Sequence, residues 1–242
     1  EKGNWMRQGQ PEPTSLVEHQ NPEYVVLPRF WTHAENVGKF NKGRNWLLVY
    51  KDVTSPTNQR TMISAITPLV GLMNSAPYIE TNDTIEGRLH CCLLANLNSF
   101  AYDFAARQKV GGVHLNYFIV EQLPTLPPEA YAEKCPWSPR QKLEKWVSDR
   151  VLKLPCTAED MVPLAEAAGF SARIHHWKEQ ERARLRAELD AAYFILYGIE
   201  RDDVEYILST FQGIHNEDEA LGDEAPTRQL ILDCYDRFKS GG

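Results

Sequence analysis

The stretch that decides the fold is residues 87–112, GRLHCCLLANLNSFAYDFAARQKVGG, in which hydrophobic residues recur with a helical period. Spacings of three and four residues are typical of one face of an amphipathic helix. This face consists of Leu89, Leu93, Leu97, Phe100 and Phe104. Gly111-Gly112 supplies a stop, and the basic residues just before it complement the negative end of the helix dipole. The pattern predicts one helix over 87–109.

Short β-type segments surround this helix. Trp46–Tyr50 is an apolar run that suits a buried strand, and Thr61–Thr67 alternates in hydrophobicity until Pro68 ends it. Further strands are predicted at 76–79 and at 113–120, before a proline-rich exit. Strands and a helix that are mixed without a regular βαβ rhythm indicate an α+β region.

The chain after Pro128 is predicted to be helical. Apolar stripes indicate helices over 143–154, 182–196, 204–211 and 230–238, and Thr157 followed by Asp160 resembles a helix N-cap. On the long helix, Arg184 precedes Glu188 and Arg186 precedes Asp190 by four residues, which predicts a solvated face with intrahelical ion pairs. The aromatic residues Trp146 and Trp177 are interpreted as core residues. Residues 1–28 are polar and aperiodic, which predicts an extended lead-in.

Charge is unevenly distributed along the 242 residues. The net charge is −7, but residues 29–116, with Lys39 and Lys42 among their cations, hold nine Lys and Arg against six Asp and Glu. Residues 157–242 hold nine against eighteen. The first segment therefore has a balance of +3, which permits a basic surface, whereas the second has −9 and would be repelled by phosphates.

Composition predicts a globular cytoplasmic protein without a membrane partner. The apolar runs are far shorter than the roughly 20 residues that cross a bilayer, and no signal peptide is recognisable. Five cysteines without C-x-x-C spacing indicate a reducing compartment and no metal site, and Cys91-Cys92 is interpreted as a pair of small core residues. The first residue is not Met, which suggests a piece of a longer protein.

Signatures of catalysis are absent from the sequence, which has no glycine-rich phosphate loop and no nucleophile elbow. His175-His176 with Glu179 is the nearest approach to a ligand cluster, but neighbouring residues on a helix point apart, so we interpret it as a polar helix start. Asn21-Pro22-Glu23-Tyr24 differs from the Asn-Pro-Pro-Tyr loop that holds the target amine in adenine methylation, because Glu23 replaces the second proline. It is interpreted as a turn, and no catalytic residue is predicted.

Two stretches resemble a known family. They are WLLVYKDVTSPTNQRTMISAITP at 46–68 and LLANLNSFAYDFAARQKVGGVHLNYFIVEQLPTLPP at 93–128. With residues 28–31 and the helical stretches 184–211 and 227–238, they are similar to the C-terminal target-recognition region of adenine-specific DNA methyltransferases of the Type IIG restriction–modification kind. A more distant similarity is to the specificity subunits of Type I systems. The resemblance covers residues 28–240.

The resemblance implies an α+β fold with a lead-in at 1–28, a mixed-sheet DNA target-recognition domain at 29–128 and a helical C-terminal subdomain at 129–242. It implies a fragment that binds double-stranded DNA and is not catalytic by itself, because the methyl-donor and catalytic loops of the family lie upstream. The parent would be an N6-adenine methyltransferase that uses S-adenosylmethionine, in a restriction–modification or related phage-defence system. The acidic helices would pack against the parent's missing methyltransferase domain or brace the recognition domain. Whether the parent also cleaves DNA stays open.

DNA recognition needs cations for phosphates and polar groups for base edges. Such groups occur in the loop 51–60, at the end of the predicted helix, and after Gly111-Gly112, where a backbone can approach a ligand closely. The candidate contacts are Arg44, Lys51, Thr54, Thr57, Asn58, Arg60, Arg107, Lys109, His114 and Asn116.

Structural interpretations compete with some of these contacts. Arg60 is equally well explained as a partner of Asp52, and the cations at 107 and 109 as complements of the helix end. Asn98-Ser99 is interpreted as a brace between the helix and the sheet. The alternative hypothesis for the whole chain is a protein-interaction or scaffolding module, which the acidic helical C-terminus favours. That module would bind a partner protein and be indifferent to DNA.

Overall fold

Helices and short strands alternate along the chain. The computed structural model describes residues 12–28, 30–37, 43–82, 87–170, 174–214 and 227–241. Its α-helices are α1 (Leu16–Gln20), α2 (Ala34–Val37), α3 (Gly87–Leu97), α4 (Phe100–Lys109), α5 (Tyr117–Val120), α6 (Leu143–Val151), α7 (Val162–Ala167), α8 (Glu179–Leu196), α9 (Arg201–Ser209) and α10 (Thr227–Lys239). Its strands are β1 (Trp46–Tyr50), β2 (Ser64–Pro68), β3 (Lys134–Cys135) and β4 (Ser138–Lys142), and 3₁₀ helices lie at Pro128–Ala132 and Glu159–Met161. The chain is therefore of mixed α and β structure, as predicted.

Strands β1 and β2 confirm the two strands that were predicted before the central helix. They pair antiparallel with Leu48 opposite Ile66, and both side chains are buried. Val49 also forms a bridge with Tyr78, inside the strand predicted at 76–79. Each sheet in the described residues has two antiparallel strands. The expected mixed sheet is therefore not observed there, because the segment that was to extend it, 113–120, is mostly not a strand.

The central stretch forms two helices where one was predicted. Asn98 and Ser99 separate α3 from α4, and the Ser99 hydroxyl accepts a hydrogen bond from the backbone N–H of Tyr102. The Asn98 amide bonds both the N–H and the carbonyl of Ser64 in β2, each at 2.9 Å. Asn98 thus pairs with β2 as a further strand would, which confirms its predicted bracing role. This tertiary contact explains why the periodic helix is interrupted.

The buried face of α3 is wider than the predicted stripe. Cys91 and Cys92 are fully buried, which confirms their interpretation as core residues, whereas Leu89 and Leu93 are only partly buried. The helix packs against α6 and also against β2. Its core contacts therefore extend over more than one stripe.

Residues 113–120 correct a prediction. His114 makes one antiparallel bridge with Val53, and the helix α5 follows directly. Tyr117 and Phe118 expose 69% and 53% of their surface. The apolar run is therefore not covered on both faces, as an interior strand would be.

The segment after residue 128 forms a 3₁₀ helix at Pro128–Ala132 and then a hairpin at 134–142, where helices alone were expected. Strands β3 and β4 pair antiparallel, and Trp137 in the turn between them lies 5.0 Å from both Trp146 and Phe238, measured between ring centroids. This aromatic cluster anchors the hairpin in the core. The helices α6, α8, α9 and α10 confirm the four predicted helices. Thr157 is not an N-cap, since Ala158 precedes the short helix at Glu159–Met161 and makes no side-chain cap bond.

The core extends across the predicted boundary at residue 128. Buried residues from both sides belong to one cluster, in which α3 packs against α6, and α4 packs against α8 and α9. The division into two domains stays a prediction. Lys39 and Lys42 lie outside the described residues.

The lead-in contains a turn of helix and is not extended throughout. In α1, Ser15 and Glu18 form a capping box. The predicted turn at Asn21–Tyr24 is confirmed, because the N–H of Tyr24 donates to the Asn21 carbonyl at 3.1 Å. The ring of His19 stacks on Trp177 with centroids 3.8 Å apart. This contact ties the lead-in to the segment before α8.

Candidate nucleic-acid interface

The bridge between Val53 and His114 brings two of the predicted DNA-facing loops together. The N–H of Thr54 donates to the Val113 carbonyl at 2.9 Å, and the N–H of Leu115 donates to the Asp52 carbonyl at 2.8 Å. The His114 ring lies 2.7 Å from the Asp52 carboxylate. The loop 51–60 and the segment after Gly111-Gly112 therefore form one continuous surface.

Half of the predicted contacts are exposed to solvent. Ammonium groups suit phosphates, and amide, hydroxyl and imidazole groups suit base edges or phosphates. The exposed members of the set are Lys51, Thr57, Lys109, His114 and Asn116. Asn116 precedes α5 but makes no side-chain cap bond.

Arg60 is turned into the protein and is not available to a phosphate. Its guanidinium binds both carboxylate oxygens of Asp190 in α8, at 2.7 and 3.3 Å, and lies 3.7 Å above the ring of Phe100. It also donates to the backbone carbonyl of Asn98. The structural interpretation of Arg60 is therefore correct, but its partner is Asp190 and not Asp52.

Arg107 is also directed inward. It donates to the backbone carbonyls of Asn58 and Gln59, at 2.5 and 3.1 Å, and lies 3.8 Å above the ring of Phe211. Burial lowers the pKa of Arg107, an effect that the neighbouring Asp103 opposes. The side chain thus holds the loop 51–60 onto α4, and its role is more than that of a complement of the helix end.

The Asp103 carboxylate holds the C-terminal end of the loop 51–60 by hydrogen bonds to backbone N–H groups. It is fully buried and accepts the N–H groups of Thr61 and Met62 at 2.7 to 3.0 Å. Burial raises the pKa of Asp103, although those N–H groups and the two arginines favour its charged form. The end of the loop is thereby fixed against the first turns of α4.

The other predicted contacts also have partners in the protein. The Thr54 hydroxyl is buried and donates to the carbonyl of Thr61 at 2.6 Å. Asn58 is partly buried beside it. Arg44 donates to the carbonyl of Asn82 at 3.1 Å. These residues shape the loops, and the exposed residues are left to contact a ligand.

The long helix α8 corrects the predicted intrahelical ion pairs. Glu188 binds Arg150 and Arg237, and Asp190 binds Arg60, so neither carboxylate faces solvent beside the arginines of its own helix. Asp190 also accepts the N–H of Phe100 at 2.9 Å. These roles were not predictable from local sequence, because the partners lie 38 to 130 residues away.

A close backbone contact between Gly213 and Gln59 was also not predicted. A Cβ atom at Gly213 would lie 2.5 Å from the Cα of Gln59, so only glycine allows the loop to pack there. A lone glycine after a predicted helix gives no signal of this contact in the sequence.

A large cleft borders the inward side of the loop 51–60. Its volume is about 1290 Å³, and it is lined by residues 58–60, by β2, by α8 and by the lead-in. Exposed apolar side chains lie at the end of the lead-in and just after it: Val25, Val26, Leu27, Phe30 and Trp31. Apolar patches that stay exposed typically mark contact surfaces for other molecules.

His175 and His176 do not lie on a helix, contrary to the prediction, because α8 begins only at Glu179. Both line a small pocket together with residues of α8. Trp146 is buried as predicted, whereas Trp177 is only partly buried and lies between His19 and Arg182. In the described residues, no group of three or more His, Cys, Asp or Glu is placed to hold a metal ion.

Comparisons with models of known protein families, with curated proteins and with solved structures find no match. The resemblance to target-recognition regions therefore rests on the motifs of the sequence. None of the described helices is both long and apolar enough to span a membrane.

Proposed function

We propose that the chain is a DNA sequence-recognition fragment of an N6-adenine DNA methyltransferase, from a Type IIG-like restriction–modification or related phage-defence system, and is not catalytic by itself. The observation that carries the proposal is the bridge between Val53 and His114. It joins the two stretches that carry the family resemblance, and exposed polar residues occur on both of them. S-adenosylmethionine would bind to another part of the parent protein.

The proposal divides the predicted contacts into two roles. Lys51 and Lys109 bind phosphates, and Asn116 with His114 faces the groove, since all four are exposed. Arg60 and Arg107 position the loop from behind, because their charges are already paired within the protein. This division replaces a set of ten equivalent contacts.

Binding of duplex DNA by the whole chain, measured by fluorescence anisotropy over a range of salt concentrations, tests the proposal. We expect the logarithm of the affinity to fall linearly with the logarithm of salt concentration. The double variant Lys51→Gln/Lys109→Gln is expected to reduce that slope by about 2, since each phosphate contact contributes roughly 0.9.

Lys145→Gln is the matched control, because Lys145 is an exposed lysine that pairs with Asp149 on α6. It is expected to leave the slope unchanged. Absence of salt-dependent binding, or an unchanged slope in the double variant, would refute the proposed function.

A protein-interaction module is the second candidate, and the exposed apolar side chains at residues 25–27, 30 and 31 favour it. Trp31 exposes 79% of its surface beside the cleft. On this hypothesis the chain binds a partner protein through these apolar side chains, Trp31→Ser weakens that binding, and DNA binding is absent. The anisotropy measurement therefore separates the two candidates.

A further inference from the structure

A small polar pocket lies at the start of α8, apart from the candidate DNA-contacting loops. Its volume is about 220 Å³, and its walls come from Lys153 just after α6, from the segment that precedes α8 and from the first turns of α8. The N–H of His175 donates to the Cys156 carbonyl at 2.8 Å, which fixes the segment to the core. The charged or titratable lining residues are Lys153, His175, His176, Lys178, Glu181 and Arg182.

The pocket has an excess of positive charge inside a segment whose total charge is negative. Glu181 is the one carboxylate among its lining residues, and it lies 3.9 Å from Lys153. Glu179, the other acidic residue in the first turn, accepts a hydrogen bond from the Trp177 indole at 2.5 Å. Lys178 and Arg182 therefore have no carboxylate partner within ion-pair distance in the described part of the chain.

Arg182 is held in position for a ligand. Its guanidinium lies 3.5 Å above the ring of Trp177, and Nη1 donates to the Leu154 carbonyl at 2.5 Å. Its Nε is buried and has no hydrogen-bond partner. Burial, reinforced by the charge of Arg186, lowers the pKa of Arg182 to about 10, so the side chain still carries its charge near neutral pH.

A desolvated cation without an anionic partner is costly, and a bound anion removes that cost. A liquid water molecule occupies about 30 Å³, so the pocket has room for a tetrahedral oxyanion. Ammonium, imidazole and guanidinium N–H groups are the donors with which proteins hold phosphates. The inference rests on the cationic side chains that line the pocket and not on the backbone N–H groups of the helix start.

We propose that this pocket binds a phosphate group through Lys178, His176 and Arg182. Arg182 also lines the large cleft that reaches Lys51 and residues 58–60. If the proposed function is correct, the group bound here is a phosphate of the DNA backbone, at a second contact point remote from the recognition loops. The same chemistry would accept inorganic phosphate or a phosphorylated small molecule.

Calorimetric titration of the whole chain with inorganic phosphate, at constant ionic strength, tests the pocket itself. We expect one site with a dissociation constant on the order of 1 mM. The double variant His176→Gln/Lys178→Gln changes two exposed side chains, so the fold is preserved, and it is expected to weaken binding at least about tenfold by removing charged donors.

Arg184→Gln is the matched control, because Arg184 is an exposed arginine of α8 that does not line the pocket. It is expected to bind phosphate like the unchanged protein. Absence of saturable phosphate binding, or equal binding by the double variant, would overturn the proposal.

The salt dependence of duplex DNA binding identifies the source of the phosphate. A slope that falls by about 1 in the double variant assigns the pocket to the DNA backbone. Loss of inorganic phosphate binding with an unchanged DNA slope assigns it to a free phosphate or phosphorylated ligand. If the chain binds phosphate in this pocket but no DNA at all, the proposed function fails and the pocket stands.

Discussion

Residues 29–116 have a net positive charge and residues 157–242 a net negative charge. Each segment buries some of the side chains that carry its excess charge. In the basic segment, the side chains of Arg60 and Arg107 are only 17% and 10% exposed. In the acidic segment, those of Glu188 and Asp190 are 11% and 4% exposed. The surface of each segment is therefore less charged, or charged differently, than its composition indicates.

Part of the excess charge of each segment is neutralised by an ion pair between the two segments. Arg60 of the basic segment binds Asp190 of the acidic segment, so one charge of each balance cancels across the core. Among the charges that stay exposed are those of Lys51 and Lys109, and a basic pocket lies at the start of α8. Local charge counts therefore predict a partner only after the buried pairs have been removed.

The largest expected effect is that of breaking the pair that joins the two segments. Asp190→Asn leaves Arg60 without its carboxylate and weakens the hydrogen bond to the N–H of Phe100. Removal of one partner from a buried ion pair costs about 3–5 kcal/mol of unfolding free energy. Chemical denaturation measures the change.

Asp149→Asn is the control for this prediction, since Asp149 pairs with Lys145 at the surface and at a similar distance, 2.8 Å. It is expected to cost less than about 1 kcal/mol. Equal effects of the two variants would show that the internal pairing of the segments contributes no more than a surface ion pair.

The next prediction compares Arg107, whose side chain points inward, with Lys109, which is exposed and lies two residues later. Arg107→Gln removes the donor of the Asn58 and Gln59 carbonyls and the charge beside Asp103, so we expect a loss of about 3 kcal/mol. Lys109→Gln is expected to change stability by less than about 0.5 kcal/mol and to reduce the salt slope of DNA binding. The opposite result in either assay would exchange the roles of the two residues.

A smaller effect is expected from the brace between α3 and β2. Asn98→Ala leaves the N–H and the carbonyl of Ser64 without their partner, which costs about 2 kcal/mol. Gln122→Ala is the matched amide control, because its side chain donates to one exposed carbonyl at the surface. Its unfolding free energy is expected to stay within about 0.5 kcal/mol of the unchanged protein.

The parts of the fold that were predictable have strong local patterns. Trp46–Tyr50 is a compact run of β-forming residues, and the stripes of α8, α9 and α10 repeat over several turns. The break at Asn98 was not predictable, because it depends on hydrogen bonds to β2 and not on local period. The same holds for the hairpin at 134–142, which is anchored by aromatic contacts with α6 and α10.

The candidate site was predictable as a location but not in its details. One β-bridge joins the loop 51–60 to the segment 111–116. Both belong to the stretches on which the family resemblance rests. Which cations face solvent was not predictable, since Arg60 finds its partner 130 residues away in the sequence. The small pocket that His175 lines was not predicted, because His175 was expected to lie at the start of a helix.

The smallest effect compares two side-chain contacts of equal length. The His114–Asp52 and Arg60–Asp190 contacts both measure 2.7 Å, but the His114 side chain is 54% exposed and that of Arg60 only 17%. Water screens the exposed pair, so His114→Ala is expected to cost less than about 1 kcal/mol, against about 3–5 kcal/mol for Asp190→Asn. Denaturation of both variants in one buffer measures the ratio. Equal costs would mean that burial does not set the strength of these contacts, and the division between inward and outward residues would lose its physical basis.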